Sequence, residues 1–456
     1  MRPQRRLVAL DFRAALPLLA VAILAAYGCG QTAGTNGGGL NLAPETAADS
    51  GSNSGETGQE FSQTPAEIPN AETSPDSAAA AAVPEAAHNA PNHEGAVERE
   101  SWTSFRNGPQ QLGIAHTTLP EQLELLWEHD APDGVPGTPA IAGGRVYVGI
   151  LHGELLCLEL ATGELVWSYR SIESEDPDEF APGFQAPVTL TEDLVLAGDE
   201  DGVLHAVDRM TGKLRWKLST AGEVVGGATV VGDSVIFGSH GGKLFRLKLD
   251  DGSIRWEFET KGPVNASPTI AGGFTFVTGC DQPILRVVEI ETGTQFSEVP
   301  LEGLLVATPA VVGDILYFGT DEGSVFALDW KAKHTVWQYA DPARQSQIKS
   351  SAAVIDDLVL IGSGDKRLHA IHRKTGEAVW TFTTRAAIDS SPVVCGDRVY
   401  FGSGDKNIYG LTIADGKEVW KYPVRQSVTG SPAIGEGRLV IGTEGSNGRI
   451  LCFGAK

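Results

Sequence analysis

The chain has 456 residues, 41% of them apolar, and a formal net charge of -23. That length accommodates several ordinary domains or one large repeat array, and the acidic balance disfavours a phosphate backbone as partner, so nucleic acid is excluded from the expected ligands. No apolar run after the first thirty residues is long enough to span a bilayer.

The N-terminus opens with Arg2, Arg5 and Arg6, continues through an apolar run from Ala15 to Ala26, and reaches Tyr27-Gly28-Cys29. Basic, apolar and small-residue zones in that order describe a signal peptide over 1–28. Ala26-Tyr27-Gly28-Cys29 resembles a bacterial lipobox, which would make Cys29 the lipidated first residue of the mature chain. Ala at its first position and Tyr at its second depart from the commonest pattern; an ordinary cleaved signal or an uncleaved anchor are the rival readings. Residues 1–28 carry a net +3, leaving -26 on the remainder.

Residues 30–98 hold ten Asp or Glu and no Lys or Arg. With few large apolar side chains, nothing offsets the entropy of ordering them. The expectation is an acidic, disordered linker over 29–100 that lifts a domain off a membrane. By the sorting rule of such lipoproteins, Gly30 after Cys29 implies the outer membrane.

From residue 123 the chain repeats. Segments ending in Trp167, Trp216, Trp256, Trp337, Trp380 and Trp420 recur at intervals of 40 to 49 residues, and Phe296 follows Thr292-Gly293 where Trp is otherwise found. Most carry a Thr-Gly or Asp-Gly turn just upstream; the version ending at Trp337 lacks it. Between anchors come a small-residue strand such as Thr138-Pro139-Ala140-Ile141, a β-branched or aromatic run such as Arg398 to Gly402, and a third strand such as Leu204 to Asp208. Short alternating runs bounded by Gly and Asp turns are strands, and four strands per period of about 40 residues make a propeller blade. The last unit, from Gly430 to Phe453, has three strands and no Trp. Leu123 to Glu128, with Trp127, supplies the missing fourth. The expected fold is all-β: an eight-bladed β-propeller over 101–456, closed by an N-terminal strand completing the last blade. Trp127, Trp167, Trp216, Trp256, Phe296, Trp337, Trp380 and Trp420 are its expected blade anchors, structural through aromatic burial.

The Ala-x-Asp-x-x-Thr-Gly-x-x-x-Trp pattern, fullest at Ala206 to Trp216, resembles the tryptophan-docking motif of the pyrroloquinoline-quinone (PQQ) repeat family. Trp102-x-x-Phe105-Arg106 with Gly113 also resembles the lead-in of bacterial propellers of this type. In that family the Trp packs between blades and the Gly leaves room for its ring. Two subfamilies follow: quinoprotein dehydrogenases, which hold the quinone and Ca²⁺ on the axis, and non-catalytic scaffolds typified by the BamB lipoprotein of outer-membrane assembly.

The dehydrogenases combine a carboxylate base, Glu, Asn and Asp ligands for Ca²⁺, and typically a vicinal disulfide. Here no two of the five cysteines are adjacent, and Asn is limited to Asn265, Asn407 and Asn447 after the lead-in. Cys157 and Cys452 read as small core residues. The acidic stretch Ser171 to Pro182, with Glu173, Glu175, Asp176, Asp178 and Glu179, could offer oxygens to a hard cation, although charge runs usually face water. Acidic turns at Asp199, Asp321, Asp365 and Asp405 recur at equivalent places, as ordinary hairpin chemistry allows. His369 and His372 point to opposite faces of one strand. The expected protein is an exported, lipid-anchored, non-catalytic scaffold with no catalytic residue, no metal and no cofactor, whose partners are envelope proteins including the outer-membrane assembly machinery. The alternatives are a PQQ- and Ca²⁺-dependent sugar or alcohol dehydrogenase and a ligand-sensing propeller.

Overall fold

The computed structural model describes Glu100 to Lys456 apart from residues 175, 177, 178, 280, 281, 342 and 343. The signal segment, Cys29 and the acidic linker therefore lie outside the described residues.

Eight four-stranded antiparallel sheets follow one another along the chain. Seven are uninterrupted meanders, over residues 140–170, 189–219, 229–259, 269–300, 310–339, 353–383 and 393–423, numbered blades 1 to 7. Blade 8 combines three strands between Ala433 and Gly454 with Glu124–Asp130. That N-terminal strand pairs antiparallel with Arg449–Gly454, setting Trp127 opposite Cys452. The composite blade read from the sequence is thus present, and no blade edge is left open at the seam.

First strands of successive blades lie side by side and so ring the axis, while fourth strands form the rim. Because a meander reverses at every turn, the first-to-second and third-to-fourth turns share one end of the disc, the turn face. The second-to-third turns and the blade-to-blade links share the other, the link face. The middle strands are almost wholly buried, as in Leu194–Gly198, and the rim strands alternate.

One irregularity recurs in every blade. Where the third strand meets the fourth, the register slips by one residue, as between the pairs Ala206–Trp216 and Val207–Leu214. The skipped residue bulges outward. Among these are Val166, Phe296, Val336 and Val379, which accounts for four of the large apolar side chains exposed on the rim.

Candidate functional site

The blade anchors decide how rigid a frame any site has. Seven indoles reach across to the next blade and donate Nε1–H to a main-chain carbonyl. Trp127 bonds Leu160, Trp167 bonds Arg209, Trp216 bonds Leu249 and Trp256 bonds Ile290, at 2.7 to 3.2 Å. Trp337, Trp380 and Trp420 do the same to Arg373, Ile413 and Leu123, at 2.8, 2.8 and 2.9 Å. The ring of each of the first six lies over the turn glycine three residues beyond the acceptor. At Gly252 a Cβ would come within 2.6 Å of the Trp216 ring, and its φ of +70° already favours glycine.

Phe296 is not one of these anchors. The sequence spacing places it in this series, but the ladder pairs Val287 with Ser297, so Ser297 occupies the anchor position and Phe296 is the bulged residue. Phe296 is 61% exposed and Ser297 is buried. The blade 4–5 junction is filled from the other side. Trp330, which stands where other blades carry the acceptor residue, is 1% exposed and packs on Phe274 and Phe276 of blade 4 at 5.4 and 5.2 Å. Its own turn has Lys333 (φ +58°) where the others have glycine. Neither Trp330 Nε1 nor Ser297 Oγ has a hydrogen-bond partner among the described residues. The signal was present as a triple departure: no Trp at 297, no Gly at 333, and an extra Trp at 330.

The acidic turns on the link face point back into their own blades. Asp199 accepts from the Val203 N–H at 2.7 Å and lies 2.9 Å from His205 Nε2, whose Nδ1 is 2.9 Å from the Tyr169 hydroxyl of blade 1. Asp365, His369 and Tyr339 repeat this arrangement in blade 6. In blade 7 the Tyr409 hydroxyl donates directly to Asp405 at 2.7 Å. Asp321 accepts from the Leu304 N–H. Burial alone would raise the Asp365 carboxyl, yet the bond and charge of His369 hold it below its ordinary value. These carboxylates are consumed by structure. His369 is buried in its network while His372 sits half-buried on the opposite side of the strand.

In the acidic stretch before blade 2, Arg170 donates to the carbonyls of Ser174, Asp176 and Glu179; Glu175 and Asp178 lie outside the described residues. Cys157 and Cys452 are buried free thiols, as is Cys395, and burial pushes all three up, to about 11, 12 and 11. A shallow groove of about 520 Å³ between blades 6 and 7, lined by Ile355, Asp356 and Ile413 among others, lies on the turn face away from the axis.

The chain itself lines the turn-face end of the axis. Residues 100–115 run round the inside of the ring and offer their carbonyls to the inner-edge N–H groups of seven blades. Trp102, Thr103, Pro109, Gln110, Leu112, Gly113 and Glu100 accept from Ile141, Leu190, Ile270, Val311, Val354, Val394 and Glu436, at 2.7 to 3.0 Å. Blade 3 is reached by the Gln111 side chain, 3.4 Å from Thr229 Oγ1. Arg106, buried and with φ +57°, donates to the carbonyls of Ala352 and Pro392. The sequence marked this lead-in as a motif; its place on the axis was not legible.

On the link-face side, Asp389 is pushed up by burial, against the pull of Lys349, and Asn265 Oδ1 is 2.5 Å from His240 Nε2. Among the described residues no group of three His, Cys, Asp or Glu converges as metal ligands.

A family model described as outer membrane protein assembly factor BamB matches residues 200–354 and 335–453. The outer membrane protein assembly factor BamB of Xanthomonas campestris pv. campestris is 31% identical over 93 residues, 20% of this chain and 23% of that protein. The matched stretch thus spans under a quarter of that relative. The crystal structure of BamB from Moraxella catarrhalis superposes with a TM-score of 0.59 at 20% identity, covering 74% of this chain and 98% of that one. Quinohemoprotein alcohol dehydrogenase from Comamonas testosteroni superposes with a TM-score of 0.67 at 13% identity, covering 79% and 82%. At these identities both superpositions speak to fold alone.

Proposed function

This chain belongs to the family described as outer membrane protein assembly factor BamB, and from that premise we propose that it is a non-catalytic scaffold of the cell envelope, binding other envelope proteins on a face of the disc. The observation that carries the reading is the segment lining the axis. Residues 100–115 take up the inner edges of the ring at the turn-face end, so that end of the axis is spent on rigidity. Seven indole-to-carbonyl bonds stiffen the blade junctions further. A rigid frame presenting short loops is what a docking platform needs.

In this reading Cys29 is lipidated, residues 29–100 form the tether, and the partners include the outer-membrane assembly machinery. PQQ and Ca²⁺ play no part. The second reading is a PQQ-dependent dehydrogenase, since the chain shares its fold with a quinohemoprotein alcohol dehydrogenase. Two measurements separate them. Cross-linking in intact membranes, followed by mass spectrometry, should recover an outer-membrane assembly component with the parent and not with a Cys29→Ser variant that has lost its acyl mass. Alcohol- or sugar-dependent dye reduction by the purified protein reconstituted with PQQ and Ca²⁺ would overturn the scaffold reading.

A further inference from the structure

Among the described residues the axial segment holds buried donors without a partner, Arg106 Nε and Trp102 Nε1, and a buried acceptor without one, Gln111 Oε1. At the turn-face end the Arg106 guanidinium is 0% exposed. Nη1 and Nη2 donate to Pro392 and Ala352 at 2.6 and 2.7 Å, Nε has no partner, and none of the ion pairs among the described residues involves this arginine. A buried cation held only by carbonyl dipoles lacks its counter-charge, which is costly in a low-dielectric interior. Burial pushes this guanidinium down to about 9.

One residue further along the same innermost strands stands a belt of hydroxyls. Ser351 precedes Ala352, Ser391 precedes Pro392, and Ser267 precedes Pro268, whose carbonyl lies 3.4 Å from Gln111 Nε2. The belt runs from blade to blade. Gly227 N–H donates to Ser267 Oγ, Ser267 N–H to Thr308 Oγ1, Thr308 N–H to Ser351 Oγ, Ser351 N–H to Ser391 Oγ and Ser391 N–H to Ser431 Oγ, at 2.9 to 3.1 Å. All five hydroxyls are buried. Each uses its oxygen as an acceptor for the neighbouring blade and keeps its own proton free to donate. No acceptor for any of these protons occurs among the described residues.

We propose that the propeller axis, between this hydroxyl belt and Arg106, binds a small inorganic anion of the halide class. The complement of several O–H donors, one orphan N–H and one uncompensated positive charge is a compact acceptor carrying negative charge. Hydrogen bonds in which one partner is ionised are about twice as strong as neutral ones. A water molecule could accept only part of this donor set and would leave the guanidinium uncompensated. The net charge of -23 does not prevent entry, because exposed charges are screened beyond about 8 Å at physiological ionic strength whereas the buried pair is not.

The test uses the full chain, purified, with chloride and bromide as probes. Thermal unfolding is followed while sodium gluconate is replaced by sodium chloride at constant ionic strength. The midpoint should rise and saturate. In bromide-soaked crystals one anomalous peak should lie on the axis within hydrogen-bond reach of the belt or of Arg106 Nε. Ser391→Ala, which keeps the strand and removes one donor, should weaken the halide dependence by about tenfold, the loss of one hydrogen bond of about 1.4 kcal/mol. Arg106→Met should abolish it, and if that variant fails to fold the parent's crystal peak still decides. A midpoint that is unchanged, or drifts linearly without saturating as a general salt effect does, overturns the proposal. So does an axial site holding only water in the bromide crystals, or an unaltered halide response in Ser391→Ala.

Discussion

Two tryptophans buried at blade junctions should respond unequally to the same conservative change. Trp216→Phe and Trp330→Phe each remove about 40 Å² of apolar surface, worth roughly 1 kcal/mol at 25 cal/mol/Å². Trp216 also loses its 2.7 Å bond to the Leu249 carbonyl, leaving a half-buried acceptor unsatisfied at a further cost of about 1–2 kcal/mol. Trp330 makes no such bond. Its Nε1–H is buried without a partner among the described residues, so its removal recovers about 1–3 kcal/mol of desolvation and offsets the lost area. The expected costs are about 2–3 kcal/mol for Trp216→Phe and about zero for Trp330→Phe, while Ala at either position costs about 3–5 kcal/mol through the cavity it leaves. Equilibrium urea unfolding read by far-UV circular dichroism, which is less sensitive than fluorescence to the deleted indole, measures all four against the parent. Equal destabilisation by the two Phe variants would refute the idea that Trp330 is a reversed anchor held by packing alone.

Phe296→Ala should cost under about 1 kcal/mol, since the ring is 61% exposed, and Ser297→Trp should cost about 1–3 kcal/mol by overpacking against Trp330; both are read in the same urea series. Gly113→Ala should cost more than about 2 kcal/mol because its Cβ would lie 2.0 Å from Arg106 Nη2 at a φ of +69°. Gly108→Ala, at φ +128° and ψ 165° with nothing within 4 Å, should cost about 1–3 kcal/mol through backbone strain alone. Deleting residues 101–129 removes both the axial segment and the closing strand, and size-exclusion chromatography should show aggregation in place of a monomer peak. Asp365 and Asp405 have carboxyls held below their ordinary value, where the bonds from His369, Tyr409 and main-chain N–H groups outweigh burial. The unfolded state therefore binds more protons, so this stability is present above about pH 4 and lost as pH falls further. Asp405→Asn should flatten the acid limb of a melting-temperature profile.

Residue order alone determined that the chain repeats, that each repeat holds four strands, and that Leu123 to Glu128 completes the last one. Those features are local. Period-2 alternation, Gly and Asp turns and a Trp every 40 or so residues depend on neighbours along the chain, and a missing strand at one end with a spare at the other is visible by inspection. Asp199 and Asp365 were equally legible as turn residues, because an acidic hairpin residue caps the backbone beside it.

What only the tertiary structure decided depends on pairing between distant segments. The one-residue bulge before each anchor moved the blade 4 position from Phe296 to Ser297. Spacing cannot detect that shift, since 296 and 297 fit the 40-residue period equally well and only the ladder to Val287 distinguishes them. The path of residues 100–115 round the axis was likewise beyond the sequence. Their carbonyls bond N–H groups 39 to 336 positions away, and a backbone acceptor carries no side-chain signature. The same holds for the hydroxyl belt: Ser267, Thr308, Ser351, Ser391 and Ser431 look like turn and strand-start residues until the ring closes and sets each one against the N–H of the preceding blade.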